Sequence, residues 1–199
     1  MKLLLDSSSS LLFSLLLAQL PVFMSANPVP RRPNYMDKLS NQTKNLMKLT
    51  QDLLREHAFD ADVEPHRFTS LPEMSNRSAN DLNNLEVKTT LTQLHTGLML
   101  YEHHFEWLNK VSKKHHHPAL PKLADMIRAM KALMHLLHSQ MVRVEAPKVT
   151  PAAPSLPPQL SHQFDVLQST NELLQHFKLF CDWAYRAFIS LKSRMSAVQ

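Results

Sequence analysis

Gly97 is the only glycine in a chain of 199 residues. Tight hairpin turns need residues that tolerate positive φ, and glycine does so without steric cost. A chain this poor in glycine argues strongly against a sheet protein and for an all-α one. Four segments carry the matching pattern, apolar residues at alternating steps of three and four over three or more heptads, which gives each helix one apolar face. The first runs from about Met36 to His57, with Leu39, Leu46, Met47, Leu53 and Leu54 on its stripe and Thr43 and Thr50 completing the spacing. The second, about Val87 to Lys113, repeats through Leu91, Leu94, Leu98, Tyr101, Phe105 and Leu108. The third starts after Pro121, a good first-turn residue, and carries Leu123, Ile127, Met130, Met134, Leu137, Met141 and Val144. The fourth, about Leu160 to Met195, shows Leu167, Leu174, Phe177, Cys181, Ala184, Phe188 and Leu191.

The connections decide the topology. Between the second and third segments lie only about seven residues, His115 to His117 and Pro118 among them, which suits antiparallel neighbours. The other two links, Ala58 to Glu86 and Glu145 to Gln159, are far longer. A helix of about 24 residues is about 36 Å long. The later link, rich in proline (Pro147, Pro151, Pro154, Pro157, Pro158), reaches about 46 Å in polyproline form. Each long link can therefore return along the whole bundle. Two such crossovers predict a long-chain four-helix bundle with up-up-down-down topology, the arrangement of helical cytokines.

The N-terminus reads as a secretory signal peptide over residues 1–26, leaving 27–199 as one bundle domain. Lys2 supplies a positive n-region, Leu11 to Leu20 the apolar run, and Ala26 a small residue at the cleavage point. That run is about half of what a bilayer span requires, and no other stretch is apolar enough, so no membrane insertion is expected. A secreted chain excludes nucleic acid as a partner, and the net charge of +5 is modest and unclustered. Cys181 is the sole cysteine, so no intramolecular disulfide can form; it falls on the core stripe and reads as a buried thiol. Two N-glycosylation sequons, Asn41-Gln42-Thr43 and Asn76-Arg77-Ser78, fit an extracellular exterior.

Catalytic and metal chemistry finds no support. The carboxylate-bridged metal pairs of four-helix bundles use Glu-x-x-His units, and the chain has none. Of the twelve histidines, His103 and His104 are adjacent, His135 and His138 are three apart and His115 to His117 form a run, without the closed spacing of a zinc site. Cys181 is buried by phase and the sequence assigns it no neighbouring His or Asn, so a thiol nucleophile is not expected. The expectation is a protein without cofactor or metal, and not an enzyme.

Binding must then use outward faces. A helical wheel of the fourth segment puts Leu179, Asp182, Trp183 and Arg186 opposite the core stripe, an aromatic beside an arginine and an aliphatic, which is hot-spot composition. The competing readings are an ion pair between Asp182 and Arg186, and a Trp183 covered by the first long link. Phe164 is also out of phase with the core, 22 positions before Arg186 and about 33 Å away along the same helix. Two separated anchors suggest two partner surfaces.

The run Asp182-Trp183-Ala184-Tyr185-Arg186, followed by Leu191-Lys192-Ser193-Arg194, resembles the last-helix signature of the interleukin-11 branch of the interleukin-6 cytokine family. The second segment agrees at Tyr101, His104, Trp107 and Leu108, and the first link at Phe59, Ala61-Asp62 and Ser70-Leu71-Pro72. The likeness spans nearly the whole mature chain and includes the lack of disulfides that separates this branch from interleukin-6 itself. It implies a secreted cytokine, monomeric before receptor binding. It further implies an α receptor bound around Arg186, then recruitment of the shared signal-transducing receptor, glycoprotein 130, to trigger JAK-STAT signalling. For that second receptor the family uses the start of the last helix, where Phe164 stands in place of a tryptophan, together with the first and third helices. Lys48 and Arg55, with Arg128 and Leu136, are the candidates there, although the third segment is less arginine-rich than the family pattern. The alternatives are another interleukin-6 relative, such as a leukaemia inhibitory factor type, and an amphipathic-helix lipid carrier of apolipoprotein type.

Overall fold

The computed structural model of the protein describes residues 35–56, 68–72, 74, 77–114, 121–156, 160 and 162–197. All of them belong to a compact unit spanning Pro33–Gln199. The expected leader, the histidine run and Asn76 lie outside the described residues. Four long helices are present: α1 (Tyr35–Glu56), α3 (Val87–Lys114), α4 (Pro121–Arg143) and α5 (Gln163–Ala197), with a short α2 (Ala79–Asn83) between the first two. No strand occurs among the described residues. The fourth helix starts three residues later than its periodicity predicts; the His162 carbonyl accepts from the amides of Asp165 and Val166 and so opens the first turn.

Cross-helix contacts fix direction. Lys192 near the end of α5 pairs with Asp37 at the start of α1. Lys122 at the start of α4 pairs with Glu56 at the end of α1, and Arg143 at the other end stacks on Tyr35, 4.2 Å from its ring centre. Lys131 of α4 bridges Glu102 and Glu106 of α3 at 3.1 and 2.9 Å. Arg194 of α5 reaches the carbonyl of Leu85, just before α3. Both α4 and α5 therefore run antiparallel to α1 and α3, and α1 and α3 face each other across the diagonal. This is the up-up-down-down bundle.

The core is where the four stripes meet. Leu39, Leu46, Leu53, Leu91, Leu108, Leu137, Leu174 and Leu191 are fully buried, each stabilising by about 1.5–3 kcal/mol relative to exposure. Rings fill the centre: Phe177 lies 4.9 Å from Tyr101 and 5.1 Å from Phe105, in tilted and edge-on contact. Threonines take part because their hydroxyls are satisfied locally. Thr43, Thr50 and Thr170 donate to the carbonyl one turn back at 2.8, 2.8 and 2.6 Å, leaving only a methyl for the core to meet. Cys181 is buried as expected, and burial pushes its thiol pKa far up, which suppresses the reactive thiolate.

Two local devices follow from the scarcity of glycine. The C-terminus of α4 closes with Ala146 N–H donating to Met141 O and Glu145 N–H to Val142 O, at 2.9 and 3.2 Å, the two bonds of a Schellman cap. Such a cap wants glycine at its left-handed position. Here Glu145 occupies it with φ 54°. Gly97 itself sits mid-helix in α3, where a Cβ would lie 2.6 Å from Phe180 Cε2. The glycine serves close approach of an aromatic ring to a helix backbone, not a turn.

Candidate functional site

The outward face of α5 is built from residues at steps of three and four. Leu179 is 53% exposed and Ile189 is 46% exposed. Between them Arg186 pairs with Asp182 at 2.7 Å, with the arginine side chain 61% and the aspartate 39% exposed. In water such a pair contributes little to stability. What it does is hold a guanidinium upright between two exposed aliphatics. Ile189 extends the face beyond Arg186, but an aliphatic residue beside Phe188 reads equally well as core, so the period does not mark it.

Trp183 does not belong to this face, contrary to the wheel. It is 7% exposed, with the Arg77 guanidinium stacked 4.9 Å above its ring and Leu71, Pro72 and Met74 of the first link beside it. An indole is too large to leave in water when a crossing link can cover it, and α5 therefore buries a wider arc than one stripe: Phe180, Trp183 and Ala187 as well as Phe177, Cys181 and Phe188. The covering link is in turn anchored to α3. His104 is buried and donates from Nδ1 to Leu100 O at 2.7 Å. Its Nε2 lies 3.1 Å from the Ser70 hydroxyl, and Phe68 stands edge-on to its ring at 5.4 Å. Desolvation holds the His104 pKa below the ordinary imidazole value, partly opposed by the bond to Leu100 O.

The short helix α2 is fastened to the far end of α5. Asp81 accepts from the Ser78 N–H at 2.7 Å and so caps its own helix. Arg194 then donates to Leu82 O and Leu85 O at 2.8 Å each, and to Asn83 O, while the Ser190 hydroxyl donates to Leu82 O at 3.0 Å. A helix of five residues carries too few apolar positions to show a period, so the sequence pattern does not reveal it.

The remaining candidates lie apart from this face. Phe164 is 51% exposed in the first turn of α5. Lys48 is exposed on α1. Arg55 is 79% exposed, 3.9 Å from Asp52, and Arg128 is 77% exposed and pairs with Asp125. Leu136 is not the open anchor its assignment supposed: it is half-buried and packs against the core. The contacts of Tyr35 with Arg143, Thr50 with Met126 and Glu56 with Lys122 set the register of α1 on α4. That register carries Leu136 to the level of Asn41, about 12 Å beyond Arg128 along α4. Asn41 is exposed while Thr43 of its sequon is buried.

Among the described residues no group of three or more His, Cys, Asp or Glu side chains is placed to hold a metal. No described helix is long and apolar enough to cross a membrane.

Four long helices joined up-up-down-down, with an exposed face of mixed charge and aliphatic character on the last of them, define a long-chain helical cytokine. Comparison with known proteins narrows the class. The family model for Interleukin 11 matches residues 28–195. The chain is 29% identical over 157 residues to Interleukin-11 of Mus musculus, covering 77% of each chain, and equally so to that of Rattus norvegicus. With Interleukin-11 of Macaca fascicularis it shares 30% over 175 residues, 85% of each. The chain belongs to the interleukin-11 family, a family of cytokines and not of enzymes.

Proposed function

We propose that the protein is a secreted cytokine that binds an interleukin-11-type α receptor through the outward face of α5 and then recruits glycoprotein 130 to drive JAK-STAT signalling. The observation that carries this reading is the pair of exposed anchors on one rigid helix: Leu179, Arg186 and Ile189 toward one end, Phe164 at the other. About 33 Å of helix separates Phe164 from Arg186, enough for two receptor domains to dock without collision. Asp182 orients Arg186, and Trp183 contributes from beneath, as the support of the link rather than as a contact. Lys48, Arg55 and Arg128 supply a third surface on the α1 and α4 side.

The apolar stripes of the four long helices are buried against one another, which speaks against a lipid carrier, whose helices present those stripes to lipid. The sequon at Asn41 is read during synthesis, before α1 folds, so the later burial of Thr43 does not bar a glycan.

The test is a pair of variants measured for receptor binding and melting. Arg186→Ala is expected to cost about 2 kcal/mol of α-receptor affinity, roughly thirtyfold, with stability changed by less than about 0.5 kcal/mol. Phe164→Ala is expected to keep α-receptor binding and lose cellular signalling. Unaltered affinity in the first, or equal loss of binding and signalling in the second, would overturn the assignment.

A further inference from the structure

A groove of about 480 Å³ lies between α3 and α5, roofed by the first long link and by Val149 of the second. Leu94, Leu100, Phe180, Leu71 and Pro72 make most of its wall apolar. Apolar grooves of this size, with a few fixed polar groups, are the usual form of small-molecule sites. Here two polar groups converge at one place. Trp183 lines the groove, and its indole Nε1 is a buried donor with no acceptor among the described residues, an arrangement that costs free energy unless an acceptor arrives. Arg77 also lines the groove and is stacked on that same indole. Stacking occupies the face of a guanidinium and leaves its in-plane N–H groups to meet a planar anion.

Donors of this kind, a fork of guanidinium N–H groups and a neutral N–H, match a carboxylate. The rest of the groove matches an alkyl chain. The wall contributed by α3 runs from Thr92 to Leu100, about 12 Å of helix, which is the reach of a chain of medium length. Gly97 is part of the same construction: with no Cβ it admits against the helix the Phe180 ring that lines the groove.

We propose that this groove binds a medium-chain fatty acid, with its carboxylate on Arg77 and the Trp183 N–H and its chain along Pro72, Leu100 and Val149. The proposal is independent of which receptors the cytokine engages.

The experiment titrates the purified chain with decanoate, decanol and decyltrimethylammonium. Calorimetry and Trp183 emission are followed together, the latter in a Trp107→Phe background because the chain has two tryptophans. Expected are saturable one-to-one binding of decanoate below its self-association concentration, with a change in Trp183 emission, and weaker binding of the alcohol and the cation. Arg77→Gln should weaken decanoate about tenfold, equivalent to about 1.4 kcal/mol, while leaving decanol unchanged. Thr96→Phe, which adds bulk inside the groove, should weaken acid and alcohol alike. Circular dichroism melts verify that each variant is folded. The proposal is overturned by absence of saturable binding, by equal affinity for the three head groups, by an Arg77→Gln variant that still prefers the acid, or by folded Thr96→Phe that binds as the parent does.

Discussion

Replacing Gly97 by alanine sets two opposed effects against each other, and the structure decides the sign. A glycine in a helix interior costs about 1 kcal/mol relative to alanine, so in open space the substitution would stabilise. The space is not open: the added Cβ would lie 2.6 Å from Phe180 Cε2 and 2.9 Å from Cζ, well inside contact distance. Phe180 is 2% exposed and packs on Tyr101 with ring centres 5.0 Å apart, so its ring retreats only by loosening that contact. Overpacking of this kind costs about 1–3 kcal/mol. Gly97→Ala is therefore expected to destabilise by about 1 kcal/mol net, a melting point lower by about 2–4 °C for a domain of this size. Leucine at 180 lacks the Cε and Cζ atoms, so in a Phe180→Leu background the same alanine should stabilise by about 1 kcal/mol. Urea unfolding of the four proteins, followed at a helical wavelength, then yields a coupling of about 2 kcal/mol. If alanine shifts stability by the same amount and sign in both backgrounds, the close approach of Phe180 to α3 is not what holds glycine at 97.

Arg194→Ala removes a charged donor from three carbonyls around α2. With hydrogen bonds to charged groups worth about 1.5–3 kcal/mol each and water able to replace part of them, a total near 2 kcal/mol is expected, concentrated as faster amide exchange at residues 81–84; unchanged exchange there would refute the clamp. Glu145→Gly should stabilise by about 0.5 kcal/mol, the relief of about 1–2 kcal/mol of left-handed strain set against glycine's greater unfolded-state entropy; a lower urea midpoint would contradict the Schellman reading. His95 is held below the ordinary imidazole pKa by burial, then by His138 and Lys148, and His104 chiefly by burial. Depressed folded values mean that below a free pKa of about 6.5 the unfolded chain binds more protons than the folded one. Stability should therefore hold above that pH and fall as the pH drops through it toward the folded values, and urea midpoints from pH 7.5 to 5.5 that stay level would refute this.

The four long helices were legible because each offers three or more heptads of apolar residues, and period is a signal that tertiary contacts seldom override. The crossovers were legible from length alone. What covers what was not. Trp183 sits off the stripe of its helix, and a wheel treats everything off the stripe as wet; only the placement of Leu71, Pro72, Met74 and Arg77, which have no period of their own, puts it under cover. Leu136 is partly covered for a related reason, since the α4 arc that meets its neighbours is wider than the stripe and includes Met126 and Leu133. Arg194 was visible only as part of a resemblance. Its role depends on carbonyls more than a hundred residues away in sequence.

The second crossover meets the bundle through its backbone oxygens. Thr92 donates to Pro147 O at 2.8 Å, Thr96 to Val149 O at 3.5 Å, and Ser70 to Ser155 O at 3.3 Å. Proline has no N–H to give but keeps its carbonyl, so the donors come from outside the strap, two from α3 and one from the first link. Between Pro147 and Ser155 the strap is thus held by the spacing of its oxygens, with Val149 adding a side chain to the groove. Its spelling is free to drift while its step is not: exchanging one extended residue for another leaves the docking intact, whereas inserting one moves each oxygen downstream by about 3.1 Å of polyproline rise, out of reach of the hydroxyl that waits for it.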